Sequence, residues 1–407
     1  MSIITVFSGS FCQKGPIVKN VLDGTGYKLL TDKEIVSEAS RLSRIAETKI
    51  ERAFTARTSV FNKFTHERER SISHLKLALA QVLSGDQIVI SGFSSQLIPK
   101  DVSHALRVCI IADMKSRISA AVHEEGLSES EAIKLIRRQD EDCASWVNSI
   151  YNKNDPWDPS IYDIIIPSDK VTAKEAGNII KENLVKDAVR PTEDSKKAVE
   201  DFLLASSVEV ALVLEGHNVG VSAKDGKVTI TINKHVLMLG RLEEELKSIA
   251  QKIAGVKSVE TKVGPDFHQT DIYRRYDFEM PSKILLVDDE REFVQTLSER
   301  LLMRDMGSAV AYDGQSALDL VKEDEPDVMI LDLKMPGIDG IEVLRRVKET
   351  QPEIEVIILT GHGSDADKEV CMKLGAFAYL QKPVDIGLLS DTIKKANEKI
   401  KERKAGR

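Results

Sequence analysis

The sequence predicts an α/β protein with two parallel sheets and a small α+β module between them. Short apolar runs alternate with helix-like stretches at both ends of the chain, which is typical of parallel strands joined by helices. A length of 407 residues is too great for one ordinary core and fits two or three domains. We therefore expect a first domain over 1–187, a second over 193–275, a linker over 276–282 and a third domain over 283–402.

The composition argues against several classes of function. The formal net charge of -8 provides no overall basic field for nucleic acid or anionic lipid. No apolar run approaches the roughly 18–20 residues that a membrane span needs. The four cysteines are scattered, without zinc-binding or disulfide-framework spacing. We expect a soluble, cytoplasmic protein with no DNA and no membrane partner.

Four strands are predicted in the first domain because short apolar runs occupy 3–7, 86–92, 106–113 and 162–169. A long helical span is expected over 34–64. Its basic and apolar residues could suit a nucleic-acid-binding helix, but its Glu and Asp content favours a solvated amphipathic helix.

The second domain has the pattern of a small α+β module. A helix over 195–206 leads into apolar runs, and Asp225-Gly226 lies between alternating Val, Ile and Thr as in a hairpin turn. A helix over 241–255 and a strand over 256–263 follow. This module resembles a BON-type domain, chiefly in its last helix and final strand.

The third domain has the most regular pattern, with helix-like stretches such as GIEVLRRVKET between its apolar runs. That alternation predicts a doubly wound parallel sheet buried on both faces. The five predicted strands are KILLVDD, AVAYD, DVMILDL, EVIILTG and AFAYLQKP.

Polar side chains stand at the ends of these strands: Asp288, Asp289, Asp332, Thr360 and Lys382. The carboxyl ends of parallel strands line one crevice of an open sheet, so these side chains are expected to converge. Converging carboxylates repel one another unless a hard cation joins them, and Mg²⁺ is the natural choice. A carboxylate beside Mg²⁺ and a lysine can accept a phosphoryl group, because both positive charges neutralise the group in transfer.

The motifs LLVDDE, ILDLKMPGIDG, ILTGHG and AYLQKP make 283–402 resemble a response-regulator receiver domain, which has a flavodoxin-like fold. The resemblance implies a phosphorelay in two-component signalling, with a sensor histidine kinase or phosphotransfer protein as donor and an output protein as partner. It also implies these roles: Asp332 as phosphoacceptor, Asp288, Asp289, Asp332 and the backbone carbonyl of Lys334 as Mg²⁺ ligands, Thr360 and Lys382 as phosphoryl contacts, and Tyr379 as the switch aromatic.

The opening stretch SIITVFSGSFCQKGPIVKNVLDGTGYKLLTDKEIV resembles cytidylate-kinase-like P-loop proteins. In such a loop glycines let backbone N–H groups face the phosphates, a lysine reaches them, and a Ser or Thr hydroxyl takes Mg²⁺. Lys14 and Gly15 would be the nucleotide-binding residues here. Pro16 then occupies the hydroxyl position but has neither a hydroxyl nor an N–H. An alignment that uses Gly9-Ser10 instead still leaves Phe11 and Cys12 where glycines are expected. Phe11 is predicted to crowd the loop.

A second departure concerns arginines. Kinases of this type use lid arginines to stabilise the transferring phosphoryl group, and the resemblance puts Glu141 and Cys143 at such positions. Arg137 and Arg138 lie just upstream, and Arg107 is either a phosphate contact or a structural surface residue. We therefore interpret the first domain as a degenerate kinase-like fold with weak or no binding of ATP.

Two functions follow from these observations. The protein is either a phosphorelay response regulator whose first domain serves as a sensing or interaction output, or a nucleoside-monophosphate kinase controlled by phosphorylation of its third domain. Nucleotide turnover separates them. A DNA-binding output is not expected, because no helix-turn-helix pattern follows residue 402.

Overall fold

The computed structural model divides into two compact units. The first unit is Met1–Thr58 with Arg68–Arg274, and the second is Ser59–Glu67 with Arg275–Arg407. The predicted linker over 276–282 lies outside the described residues. The described residues are 2–85, 87–236, 238–268, 283–361 and 363–405.

The N-terminal sheet has five parallel strands in the order β2-β3-β1-β4-β5. The parallel α/β fold and its four predicted strands are confirmed. Strand β2 was not predicted because it is a four-residue edge strand in which only Leu30 is buried. The strands are β1 Ile3–Ser8, β2 Lys28–Thr31, β3 Ile88–Ser91, β4 Ala105–Ile111 and β5 Ile164–Pro167.

The single helix expected over 34–64 is wrong. The chain leaves α2 at Arg44, which takes a left-handed φ of 58°. Ser40 Oγ donates to Ile45 O at 2.7 Å, and Ser43 Oγ accepts from Ile45 N at 3.1 Å, so these hydroxyls favour a turn over a further helical turn. The helices along this part of the chain are α1 Lys14–Thr25, α2 Asp32–Ser43, α3 Glu47–Glu51, α4 Asn62–Thr65, α5 Glu67–Val82, α6 Met114–Glu125, α7 Glu129–Tyr151 and α8 Ala173–Leu184.

The middle of the chain forms a three-stranded sheet with two helices. Asp225 and Gly226, both at positive φ, form the predicted hairpin turn. The first helix extends beyond the predicted 195–206, because Val208 and Leu212 keep the helical spacing and are fully buried. The elements are α9 Glu193–Leu214, β6 Gly220–Lys224, β7 Lys227–Ile232, α10 Leu239–Ala250 and β8 Ser258–Val263.

The C-terminal sheet has five parallel strands in the order β10-β9-β11-β12-β13, and all five were predicted. The order reverses between β9 and β11, and the crevice of such a sheet lies at the carboxyl ends there. The elements are β9 Ile284–Val287, α11 Arg291–Leu302, β10 Ser308–Ala311, α12 Gly314–Glu323, β11 Val328–Leu331, α13 Gly340–Thr350, β12 Glu355–Thr360, α14 Asp365–Lys373, β13 Ala378–Gln381 and α15 Ile386–Ala405.

The four cysteines are buried, free thiols. Burial raises the pKa of Cys12 to about 11 and that of Cys109 to about 12, so neither forms a thiolate near neutral pH. Among the helices in the described ranges, none is both long enough and apolar enough to cross a membrane.

Candidate functional site

Three carboxylates meet at the carboxyl end of the C-terminal sheet. Asp288 and Asp289 follow β9, and Asp332 follows β11, the neighbouring strand. One carboxylate oxygen from each of the three lies within 4.8 Å of the other two. The topology therefore brings together the acidic residues that the strand-end pattern predicted.

Lys382 provides positive charge at this cluster. It follows β13, and its Nζ lies 2.6 Å from Asp288 Oδ2 and 3.9 Å from Asp332 Oδ2. Burial raises the pKa of Asp288, although Lys382 opposes this effect. Burial would lower the pKa of Lys382, but Asp288 and Asp332 outweigh it and raise that pKa. The lysine thus remains an ammonium group beside two buried carboxylates, and its Nζ lies 4.4 Å from the centroid of the Phe293 ring.

Asp332 is a buried member of the cluster. It is 5% exposed, and its Oδ1 has no hydrogen-bond partner among the described residues. A buried carboxylate oxygen in that situation is costly unless a cation or a donor reaches it. Gly340 lies so close to the Asp332 carbonyl that any side chain at 340 would overlap it. The carboxylate oxygens of the three aspartates are hard donors, which fit Mg²⁺. The exposed Lys334 lies two residues after Asp332 in the same loop.

Thr360 and Tyr379 lie on the two adjoining strands. Thr360 ends β12 and is fully buried, and its carbonyl accepts from Lys382 N at 2.9 Å. Tyr379 lies on β13, and its hydroxyl is buried without a hydrogen-bond partner among the described residues. A side chain at Gly363 would overlap that hydroxyl, so Tyr379 rests on the loop after β12.

The loop between β1 and α1 keeps a tight turn without the expected glycines. Phe11 and Gln13 take left-handed φ values of 58° and 55°, each at a cost of about 1–3 kcal/mol for a residue with a side chain. The prediction that Phe11 crowds the loop is wrong, because its ring packs against the small apolar cluster of α6 and α7. Lys14 and Gly15 begin α1 and are exposed.

Arg117 holds this loop from the other side. Its guanidinium donates to Ser10 O and Ser10 Oγ, both at 2.9 Å. Two further bonds, of 2.9 and 2.6 Å, reach the carboxylate of Asp140. Arg117 is 5% exposed, so four of its five donors are used in a nearly buried setting.

Comparison with protein-family models assigns a family to each of the two five-stranded sheets. Residues 284–394 match the response regulator receiver domain. The C-terminal part of this chain is a receiver domain. Residues 3–170 match the cytidylate kinase-like family, so the N-terminal sheet belongs to a cytidylate kinase-like domain. The BON-like interpretation of the middle module stays a prediction.

The receiver domain is similar to several known proteins. Response regulator MprA of Mycolicibacterium vanbaalenii is 38% identical over 104 residues, which are 26% of this chain and 45% of that protein, so the chain spans less than half the length of this relative. A crystal structure of a receiver domain protein from Clostridium thermocellum is 38% identical, over 29% of this chain and 96% of that one, with a TM-score of 0.29. The Francisella response regulator 1452 receiver domain is 30% identical, over 29% and 98%, with a TM-score of 0.28.

The arginines of the cytidylate kinase-like domain differ from the sequence interpretation. Arg107 donates to the carbonyls of Pro99 and Ala105, so its role here is structural. Arg137 and Arg138 are exposed on α7. Arg117 was missed, because its partner Asp140 is 23 residues away and no local motif joins them.

A cavity of about 330 Å³ opens beside the start of α1. Lys14, Lys19 and Lys33 line it, together with Asp32, whose carboxylate accepts from the backbone N–H groups of Phe93 and Ser94, both at 2.8 Å. The volume lies at the lower end of the range for small-molecule sites. The lysines make the cavity suitable for an anion.

Loss of the Arg117–Asp140 pair should destabilise the first unit. Asp140→Ala is expected to lower the free energy of unfolding by about 2 kcal/mol, less than the ~3–5 kcal/mol of a fully buried pair, because the Asp140 side chain is 27% exposed. Urea unfolding followed by tryptophan fluorescence measures this, since Trp146 and Trp157 both lie in that unit. Glu141→Ala, an exposed neighbour on α7, is the control; equal midpoints for both variants would contradict the prediction.

Proposed function

We propose that the protein is a phosphorelay response regulator that accepts a phosphoryl group on Asp332 from a sensor histidine kinase or phosphotransfer protein. One observation carries this proposal: Asp332 is buried, its Oδ1 has no hydrogen-bond partner in the described part of the chain, and it lies beside two further aspartates and Lys382. The match of residues 284–394 to the receiver domain supports the same function.

The residues suggest how transfer proceeds. Asp288, Asp289, Asp332 and the carbonyl of Lys334 would hold Mg²⁺, which neutralises charge on the transferring group. Asp332 forms the new bond to phosphorus as the donor's bond to that phosphorus breaks, and the donor group departs with the bonding electrons. Lys382 lies within reach of the Asp332 carboxylate, so its ammonium balances the added negative charge.

Signal output would begin at Thr360 and Tyr379. The phosphoryl group adds charge and acceptor oxygens, to which the Thr360 hydroxyl can donate. Tyr379, whose hydroxyl lies against Gly363, would then turn into the space that Thr360 leaves. The surface around 363–380 is accordingly the proposed effector face.

We infer that the cytidylate kinase-like domain is a sensing or interaction output and not a catalyst. Pro16 lacks the hydroxyl that would hold a metal, and Arg117 is bound by Asp140 on one side and Ser10 on the other. The lysine-lined cavity favours one alternative, a nucleoside-monophosphate kinase controlled by the receiver. Under the favoured proposal this cavity holds an anionic ligand without turning it over.

Magnesium dependence tests the proposed phosphorylation site. The full chain, treated with a small phosphodonor and Mg²⁺, should gain one phosphoryl group by intact mass, and chelation of Mg²⁺ should prevent this gain. Asp289→Ala should raise the half-saturating Mg²⁺ concentration by at least about tenfold, because losing a direct ligand costs no less than losing a second-shell partner. Glu349→Ala, on an exposed face of α13, removes a carboxylate without an effect. An unchanged Mg²⁺ requirement in Asp289→Ala would contradict the ligand assignment.

A further inference from the structure

One short segment lies in the sequence of one domain but packs with another. Ser59–Glu67 lies in sequence within the cytidylate kinase-like domain, but it packs as part of the second unit, with the receiver domain. The chain on either side of it, up to Thr58 and from Arg68, belongs to the first unit. The receiver domain therefore incorporates a segment that precedes it by more than two hundred residues.

Phe61 anchors this segment. It is fully buried and shares an apolar cluster with Leu285, Ala309 and Leu318 of the receiver domain. The Phe61 carbonyl accepts from Phe64 N at 2.8 Å, which begins the short helix α4. This helix sets Phe64 against Gly307, where any side chain would overlap the Phe64 ring. A glycine before β10 thus leaves room for the second aromatic ring.

A cluster of polar side chains lies at the edge of this contact. Lys283 Nζ lies 3.0 Å from Asp324 Oδ1 and 2.7 Å from Glu67 Oε2, and Ser59 Oγ donates to Asp324 Oδ2. The side chain of Lys283 is only 8% exposed. Burial would lower the pKa of Lys283, but Glu67 and Asp324 together raise it. Two nearly buried receiver residues, Lys283 and Asp324, therefore pair with two partly exposed segment residues, Ser59 and Glu67, so the buried charges are satisfied by the segment.

We propose that Ser59–Glu67 is a docking segment for the receiver domain, and that phosphorylation of Asp332 changes how tightly it is held. The second half rests on the proposed function. The docking surface is at the amino ends of the strands, beside Lys283 and Gly307, and Asp332 is at their carboxyl ends. The cluster that holds Phe61 runs through the sheet to Leu331 and Leu333, and Tyr379 packs against it. Because close-packed cores transmit small displacements, this cluster offers a physical connection between the two ends.

Hydrogen exchange on the full, unphosphorylated chain tests the docking. Phe61→Ala should accelerate exchange at least about tenfold in 59–67 and β10, since the buried anchor is lost. Val60→Ala truncates a neighbouring side chain that is 42% exposed. It should leave the exchange rates of 59–67 and of β10 unchanged. Glu67→Gln keeps the anchor and should accelerate exchange in the segment alone, so the test survives if Phe61→Ala unfolds. Equal exchange in wild type, Phe61→Ala and Glu67→Gln would overturn the docking.

The coupling has a separate readout. When mass spectrometry shows full phosphorylation, exchange in 59–67 should shift at least about fivefold, the lower end of ordinary coupling between sites. Asp332→Asn under the same conditions should show no shift. A phosphorylated chain with unchanged exchange would overturn the coupling and leave the proposed function standing. A chain that accepts no phosphoryl group would overturn the proposed function and the coupling together, while the docking is decided by the unphosphorylated protein.

Discussion

Asp332→Asn should form no covalent phosphate under conditions that fully modify the wild-type chain. The substitution keeps the size of the side chain but removes the carboxylate oxygen that would attack phosphorus, so the loss should be complete. Intact mass after treatment with a small phosphodonor and Mg²⁺ measures the result. The wild-type product should be labile at alkaline pH, as an acyl phosphate is.

Asp339→Asn is the matched control for this experiment. Asp339 is exposed on the same loop and caps α13 by accepting from Glu342 N at 2.8 Å, a role that asparagine also performs. This variant should be phosphorylated as fully as the wild type. Retained phosphorylation of Asp332→Asn would refute the assignment and move the acceptor to another carboxylate.

The full chain should show no transfer from ATP to CMP, dCMP or UMP. Catalysis of phosphoryl transfer depends almost entirely on positioning and charge, and absence of one stabilising arginine alone costs about 10³–10⁵ in rate. Here Pro16 provides no metal-binding hydroxyl, Cys143 is buried in the core where an arginine is expected, and Arg117 is engaged by Asp140. These departures share one site, so their costs need not add. ADP formation in the presence of each acceptor measures the turnover.

A lysine pair makes this second test specific. Lys14→Ala removes the lysine at the start of α1, and Lys28→Ala removes an exposed lysine on β2 that does not line the cavity. Neither should change the background rate. Turnover near one per second that Lys14→Ala abolishes and Lys28→Ala retains would restore the kinase. Binding of ATP without turnover is compatible with the proposal, because Lys14 and the cavity offer an anion site.

The receiver domain was predictable to a large extent because its signals are local. Each parallel strand is a short apolar run, and Asp288, Asp332, Thr360 and Lys382 each occupy the end of one or follow it directly. In a doubly wound sheet the topology then brings strand ends together without further information. The membership of 284–394 in the receiver family agrees with this prediction.

The errors occur where neighbouring residues do not decide the structure. Strand β2 forms because β3 is available to pair with it, although its four residues carry little apolar pattern. Arg44 ends α2 through serine hydroxyl bonds that a helical pattern does not register. Helix α9 continues through a run rich in valine because the buried face keeps its helical spacing.

By itself the sequence determined the two parallel sheets, the hairpin at Asp225-Gly226 and the residues at the strand ends, because each depends on spacing within a few positions. Only the tertiary structure decided what Arg117 and Phe61 do. Arg117 meets Asp140 through the packing of two helices, and Ser59 meets Asp324 across 265 positions of the chain. Such contacts form because the fold brings the residues together, where burial of a ring and pairing of charges stabilise them. The spacing of residues along the sequence does not indicate which distant residues will meet.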